Sequence, residues 1–458
     1  MQTLKGKRLH FIGIGGAGMS GLARIALADG ISVSGSDAKD SSVLGALEAL
    51  GANILRSHNA ENLGDCDVVI YSTAITTANP ELTSAIEKSI PVLTRAKALA
   101  LLMSGYKSIA VAGTHGKTTT SSMMTVALQG CGVDPSFAIG GTLTSSGSNA
   151  HRGNGEYFVA EADESDGSFI EYHPLAAIVT NIEHDHVDFF ESLDDVTNVF
   201  KKFASTVSPE GFLIYCGDDA GARELGSSIS SPQAVSYGES EGADLKISSI
   251  ELSASASSAR LFWKGKAIGT LELSVPGRHN VLNASACIAM GISLGLSAGD
   301  LIASLRAFRG AGRRFELKST VQGIRIIDDY GHHPTEIAVT LDAARRYVGD
   351  GKLFVIFQPH RYSRTQAFLD NFARELDKAD DVTLLEIYAA SEKPIAGVSS
   401  KLIVDRMKNG HYIPNFVEAA ERVVNEAKPG DLIITLGAGD VNSLAGIIAD
   451  GLQKRFEK

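Results

Sequence analysis

The chain has 458 residues, about three times the span of a typical domain, so two to four domains with ample core are expected. A composition of 44% hydrophobic and 21% charged residues excludes a disordered or fibrous chain. With 42 basic against 53 acidic residues the net charge is −11, which weighs against a general nucleic-acid or membrane-surface binder and requires any phosphate ligand to be held locally. Cys66, Cys131, Cys216 and Cys287 are scattered and form no CxxC pair, so neither a zinc knuckle nor a disulfide framework is expected, and a reducing cytoplasm fits.

In chain order, Leu9 to Ile14, Ile31 to Ser34 and Val68 to Tyr71 read as short strands separated by helical patterns such as Val43 to Leu50, the signature of a parallel sheet with crossover helices. After a linker around Ser104 to Tyr106, strands at Ser108 to Ala112, Tyr157 to Ala160 and Ala177 to Ile182 open a second unit. Within it, Ala234 to Leu273, rich in Ser, Gly and alternating apolar residues, reads as antiparallel strands. The uncharged run Val281 to Gly299 carries too many polar residues and glycines for a membrane span and reads as a packed internal helix. A cluster of Gly310, Gly312, Arg313 and Arg314 marks the next boundary. Strands at Ile324 to Ile327, Leu353 to Phe357, Val382 to Ile387 and Leu432 to Leu436 then imply a third, doubly wound unit. The expectation is an α/β chain of three consecutive domains: 1–105 Rossmann-like, 106–312 P-loop ATPase-like with a β-rich insertion, and 313–458 Rossmann-like.

The chemistry-bearing motifs fall at strand ends. Gly13-x-Gly15-x-x-Gly18 lies between a strand and a helix, where bare backbone and a helix N-terminus attract a pyrophosphate, and Asp37 ends the next strand. Taken alone it fits a nicotinamide dehydrogenase as well as any other diphosphate binder. Gly113-Thr114-His115-Gly116-Lys117-Thr118-Thr119 is a phosphate loop: amides wrap the phosphates, Lys117 reaches the terminal ones, and the Thr118 hydroxyl is a Mg²⁺ ligand. Val111 stands where the usual GxxxxGK[ST] pattern has glycine, so the loop is a variant. Glu161-Ala-Asp163-Glu164-Ser-Asp166 and Glu183-His184-Asp185-His186-Val-Asp188 end two strands on the same side and read as Mg²⁺ ligands or as solvated loops and helix caps. Spacing leaves open which histidine faces a metal. Gly277-Arg278-His279-Asn280-Val-Leu-Asn283 supplies amides for an adenine edge or a helix cap, and Arg313-Arg314 supplies a guanidinium for a phosphoryl group or a surface charge. Asp328-Asp329-Tyr330-Gly331-His332-His333-Pro334 and Gln358-Pro359-His360-Arg361-Tyr362-Ser363-Arg364 close strands of the third unit, and two arginines three apart are suited to clamp a carboxylate.

In this order and over the whole chain, the motifs resemble the Mur ligase family, whose shortened ATP loop accounts for Val111. The resemblance implies an ATP-dependent ligase that joins L-alanine to the lactyl carboxylate of UDP-N-acetylmuramate through an acyl phosphate, in the cytoplasm. It implies Lys117, Glu161, His186, Arg314 and Asp329 as catalytic residues, and Gly113 to Thr119 with His279, Asn280, Asn283 and Arg314 around ATP. Thr118, Glu161 and His186 would hold two Mg²⁺ ions. Gly13, Gly15, Gly16, Ala17, Gly18, Met19, Ser20, Asp37 and Ser72 would hold the UDP group, and His332, Arg361 and Arg364 the amino acid. His184 departs from the family pattern and puts a second imidazole beside His186, while Lys201 and Lys202 read as surface charges. No nucleic-acid or membrane partner is expected, and the chain is expected to be a monomer or weak homodimer. A sister activity that attaches a preformed tripeptide to the same sugar nucleotide shares most of these features. An NAD-dependent oxidoreductase would leave the phosphate loop idle.

Overall fold

A computed structural model describes residues 4–72, 74–390 and 392–457. The first sheet has five parallel strands in the spatial order Asn53–Leu55, Ser32–Ser36, Arg8–Ile12, Val68–Tyr71, Val92–Thr94. Strand order reverses beside Arg8–Ile12, and such a switch point opens a crevice at the carboxyl ends. The helix Ala17–Ala28 follows from that strand and buries Met19, Leu22, Ala23, Ile25 and Ala26, a stripe at helical spacing, against the sheet.

The second sheet has ten strands, with Lys107–Ala112 flanked by Ala176–Val179 and Tyr157–Glu161, all parallel. The helix Lys117–Gly130 leaves the phosphate loop and is buried along most of its length despite its hydroxyl residues. Ser121 donates to the Lys117 carbonyl and Thr125 to the Ser121 carbonyl, so these two hydroxyls are satisfied within the helix, whereas among the described residues the buried Thr120 and Ser122 hydroxyls find no partner. Most of the uncharged stretch forms the helix Arg278–Ser293, buried on nearly every side as expected, but that helix stops at Ser293, and residues 294–299 turn into a second helix, Ala298–Leu305. Among the described residues no helix is long and apolar enough to cross a membrane.

One expectation needs correction. Of the strands within 234–273, Gln233–Gly238 pairs in parallel with Phe212–Cys216 and with the start of Leu245–Leu252. Only Leu245–Leu252, Ser257–Trp263 and Lys266–Leu273 form an antiparallel meander. Alternating hydrophobicity reports that one sheet face is buried, and does not report strand direction.

The third sheet runs Glu316–Val321, Ile324–Asp329, Leu432–Leu436, Leu353–Phe357, Asp381–Leu384, Gly410–Tyr412; the first pair is antiparallel and the others parallel. Separate apolar clusters cover its two faces. Together the three sheets are the expected three-part α/β architecture. The first two units share one continuous core, where Asn149 donates to the Ala17 carbonyl at 2.8 Å and Arg152 pairs with Asp29 at 2.5 Å. The cysteines are free thiols, and Lys201 and Lys202 are exposed, Lys201 pairing with Glu224 at 3.1 Å.

Candidate active site

The glycine-rich turn lies at the carboxyl end of the first sheet. Gly13 has φ +79°, a conformation that favours glycine, and the Gly15 amide donates to Asp37 Oδ2 at 2.9 Å. Asp37 therefore braces the turn itself. Gly16, Ala17 and Gly18 start the helix, and Ser72 lies against Gly13. The side chains of Met19 and Ser20 are buried, with the Ser20 hydroxyl donating to the Ala17 carbonyl and its amide to the Gly16 carbonyl, so neither side chain is offered at the face of the turn.

In the phosphate loop, Gly113 (φ +135°) passes so close to the next strand end that a Cβ there would stand 2.0 Å from Thr180 Oγ1. The Thr180 hydroxyl donates to the His115 carbonyl at 2.6 Å, and Asn181 Oδ1 accepts from the His115 amide at 2.8 Å. Lys117 Nζ reaches the Gly113 carbonyl at 2.8 Å and Glu164 Oε2 at 2.8 Å. Burial opposes the ammonium charge, and Glu164 and Asp163 more than restore it, so Lys117 is held protonated.

Two groups of metal-ligating atoms flank this lysine. Thr118 Oγ1 donates to Glu161 Oε1 at 3.1 Å, and Glu161 Oε2 also accepts from the Gly140 amide at 2.7 Å. Asp163, Glu164 and His186 converge with one ligand atom each within 4.8 Å of one another. Hard carboxylate and hydroxyl oxygens with a single imidazole suit Mg²⁺. The predicted ligands Thr118 and Glu161 thus stand together, and His186 joins the neighbouring group. His184 turns away, its Nε2 lying 3.2 Å from the Phe190 carbonyl oxygen, which separates the two histidines the sequence left side by side.

His115, Gly116 and Thr119 line a cavity of about 490 Å³ with His279, Asn280, Asn283, Arg314 and Asp329. Burial, then the nearby Arg314 charge, pushes His279 down to about 4, so it is a neutral ring, and its buried Nδ1 has no partner. Asn283 Oδ1 stands 3.0 Å from where a Cβ on Gly116 would be, which ties that helix to the loop. Asp329 is buried, which raises its pKa, and accepts from the Phe315 amide at 2.7 Å, the Gly331 amide at 2.8 Å and Thr340 Oγ1 at 3.1 Å. Arg314 lies 5.0 Å over the Tyr330 ring and 3.7 Å from Glu336.

His115 is the hinge of the arrangement. Its ring lies 3.4 Å from Glu183 of the central unit and 3.4 Å from Glu336 of the third. Burial alone lowers its pKa, and the two carboxylates overcome this and raise it to about 10. Thr335 Oγ1 donates to Glu183 at 2.8 Å, so the loop is fastened to the helix Pro334–Val348.

The expected amino-acid residues also meet. His332 and His360 lie with ring centroids 5.7 Å apart beside Arg364, and burial pushes His332 down to about 3. Arg361 pairs with Asp188, and Arg364 donates to Asp185 through Nε at 2.9 Å and Nη2 at 2.8 Å, both side chains 3% exposed. Sequence reading missed these partners, because Asp185 and Arg364 are 179 positions apart. It also missed Glu164 as the carboxylate on Lys117, although Glu164 and Lys117 both belong to motifs at neighbouring strand ends.

A diphosphate turn, a phosphate loop with a metal-ligating acidic cluster, and an arginine pair on a third unit define a three-domain, nucleotide-dependent ligase. Family models agree: residues 8–107 match the Mur ligase family catalytic domain, 111–291 the Mur ligase middle domain, and 313–439 the Mur ligase glutamate ligase domain. The chain belongs to the Mur ligase family. It is 47% identical over 458 residues to a UDP-N-acetylmuramate–L-alanine ligase of Saccharopolyspora erythraea (96% of this chain, 92% of the relative). To the protein of that name from Paenarthrobacter aurescens it is 46% identical, covering 97% of each chain. The crystal structure of a UDP-N-acetylmuramate–alanine ligase from Thermotoga maritima superposes with a TM-score of 0.83 at 30% identity, covering 99% of this chain and 100% of that one. A murein peptide ligase from Psychrobacter arcticus gives 0.74 at 25% identity, covering 98% and 99%.

Proposed function

We propose that this protein joins L-alanine to the lactyl carboxylate of UDP-N-acetylmuramate, converting ATP to ADP and phosphate, in the cytoplasmic assembly of peptidoglycan precursors. The observation that carries the reading is the placement of the phosphate loop between the glycine-rich turn and the Arg361–Arg364 pair, which gives each of three substrates its own strand-end site around Lys117. Full-length similarity at 46–47% to alanine-adding relatives favours alanine over a preformed tripeptide. We assign residues 1–105 to the sugar nucleotide, 106–312 to ATP and 313–458 to the amino acid, with the protein acting as a monomer or weak homodimer.

Joining a carboxylate to an amine in water is uphill, so the carboxylate oxygen first attacks the γ-phosphorus and ADP leaves. The alanine amine then attacks the acyl phosphate carbonyl, and phosphate leaves. Lys117 neutralises charge on the moving phosphoryl group. Thr118 and Glu161 hold one Mg²⁺, and His186 with Asp163 and Glu164 a second; the ions, when bound, offset phosphate charge. Neutral His279 with Asn280 and Asn283 orients the base. Arg361 and Arg364 orient the alanine carboxylate, and the His115 and Arg364 contacts close the third unit over the loop and exclude water from the acyl phosphate.

The test is phosphate release from Mg·ATP with UDP-N-acetylmuramate and, in turn, L-alanine, glycine, L-serine and the tripeptide, with product mass measured. Release that needs the sugar nucleotide and favours alanine is expected. Preference for the tripeptide, or release without a new mass, refutes the reading.

A further inference from the structure

Arg95 was not singled out by any motif. It is the first residue of the helix Arg95–Met103, which leads from the first unit into the second. Its side chain crosses the glycine-rich turn: a Cβ on Gly18 would stand 2.9 Å from Arg95 Cδ and 3.6 Å from Nε and Nη1. Beyond the turn the guanidinium faces Tyr172, Asp163, Asp166 and Glu161 of the central unit.

It is partly buried, yet among the described residues no hydrogen bond or ion pair reaches it. The carboxylates it faces are committed elsewhere: Glu161 to Thr118 and Gly140, Asp163 to the Ser165 amide, and Asp166 to the Ser168 amide. Neighbouring cations are all paired, Lys97 with Glu171, Lys117 with Glu164 and Arg152 with Asp29. Burial opposes its charge and the acidic groups around it more than restore it, but none of them takes its N–H donors, and that planar set of donors matches phosphate oxygens.

Resting on the functional reading above, we propose that Arg95 is a substrate-binding residue that grips the diphosphate of the sugar nucleotide at its sugar-side phosphate. The Ala17 and Gly18 amides, at the start of the helix, lie on one side of that phosphate and Arg95 closes over it. The sugar and its lactyl carboxylate then point towards Lys117. Arg95 offsets, from the side of the first unit, the repulsion between that diphosphate and Glu161, Asp163 and Asp166. Gly18 is glycine here because the arginine needs the space above it, so Gly18→Ala displaces Arg95.

The experiment measures binding of UDP-N-acetylmuramate, UDP and UMP by calorimetry to the full chain and to Arg95→Ala, Arg95→Lys and Gly18→Ala, with steady-state kinetics alongside. For Arg95→Ala we expect the sugar nucleotide and UDP to weaken 10- to 100-fold, the range for charge-assisted contacts, while UMP changes less than threefold. The KM for the sugar nucleotide rises in step, with kcat and the KM for ATP within threefold. Arg95→Lys recovers part of the loss, and Gly18→Ala mimics Arg95→Ala. UDP binding at the wild-type level, or equal losses for UDP and UMP, overturns the proposal. If the wild-type chain binds none of the three ligands, the functional reading falls with it, and the unsubstituted protein alone reveals this.

Discussion

Replacing Asp185 by Asn tests whether the amino-acid site is assembled by the central unit. Arg364 and Asp185 are each 3% exposed, and two guanidinium nitrogens reach one carboxylate oxygen at 2.8 and 2.9 Å. Burial opposes the carboxylate charge, but the Arg364 guanidinium, helped by His186, holds Asp185 well below the usual carboxylate range. Breaking a buried pair from one side costs about 3 to 5 kcal/mol, because the remaining charge is stranded. Asn keeps an acceptor oxygen, so about 3 kcal/mol is expected, a factor of about 150 in an equilibrium. The pair joins two units, so the loss falls on their joined state rather than on the folding of either.

The assay is phosphate release at saturating ATP and sugar nucleotide with alanine varied. kcat/KM for alanine is expected to fall about 100-fold, while affinities for the other two substrates change less than threefold. Asp185 Oδ1 also accepts from the His186 amide at 2.6 Å, so the loss could enter through a displaced metal ligand. A double-mutant cycle with Arg364→Met separates the two: a loss through His186 adds to that of Arg364→Met, and a loss through the ion pair does not. Additive behaviour, or a single variant within threefold of wild type, refutes the reasoning.

His115 has a folded pKa raised to about 10 from an ordinary 6.5, so its contribution is complete below pH 6.5 and disappears as pH rises towards 10. Relative to His115→Asn, the wild type should lose up to about 1.4 kcal/mol of unfolding free energy per pH unit across that window, and parallel urea-unfolding curves would contradict this. Glu81 is buried and takes donors from Ser36 at 2.5 Å and Asn62 at 2.5 Å, with His10 3.5 Å away. Burial works against its charge, and His10, Ser36 and Asn62 overcome it and lower its pKa to about 2; its contribution is present above about pH 4.5 and lost as pH falls through 2. Glu81→Gln should therefore cost about 2 to 3 kcal/mol at pH 7 by urea unfolding, and a cost under about 0.5 kcal/mol would remove the carboxylate from the account. Chelation of Mg²⁺ should weaken ATP binding more than tenfold and UDP-N-acetylmuramate binding less than threefold, since the metal-ligating atoms stand beside Lys117 in the phosphate loop while Arg95 offsets the same carboxylates on the side of the sugar nucleotide; equal losses would place the ions elsewhere.

Legibility in the sequence followed the range of the interaction. Strands such as Val68–Tyr71, Leu353–Phe357 and Leu432–Leu436 are recognisable as runs because burial on both faces of a parallel sheet demands unbroken apolar residues. The motifs after Arg8–Ile12 and Lys107–Ala112 are recognisable because phosphate contact requires glycine, lysine and hydroxyl residues at short fixed spacing. The direction of Gln233–Gly238, the partners of Arg361 and Arg364, and the place of Arg95 depend on which distant segments meet. His184 and His186 illustrate the limit: two positions apart, they have equal chemistry in the sequence. The turn after His186, itself at φ +51°, sends one ring to the Phe190 carbonyl and the other to Glu164.

The charge around the phosphate loop explains why its contacts reach all three units. Glu161, Asp163, Glu164, Glu183 and Glu336 crowd the phosphate loop, and they are tolerable because Lys117, protonated His115 and Arg314 lie among them. Lys117 comes from the loop, Arg314 from the third unit, and Arg95 reaches in from the first. Arg314 and His115 meet at Glu336, so in the proposed reaction the contacts that would exclude water also supply charge for phosphoryl transfer.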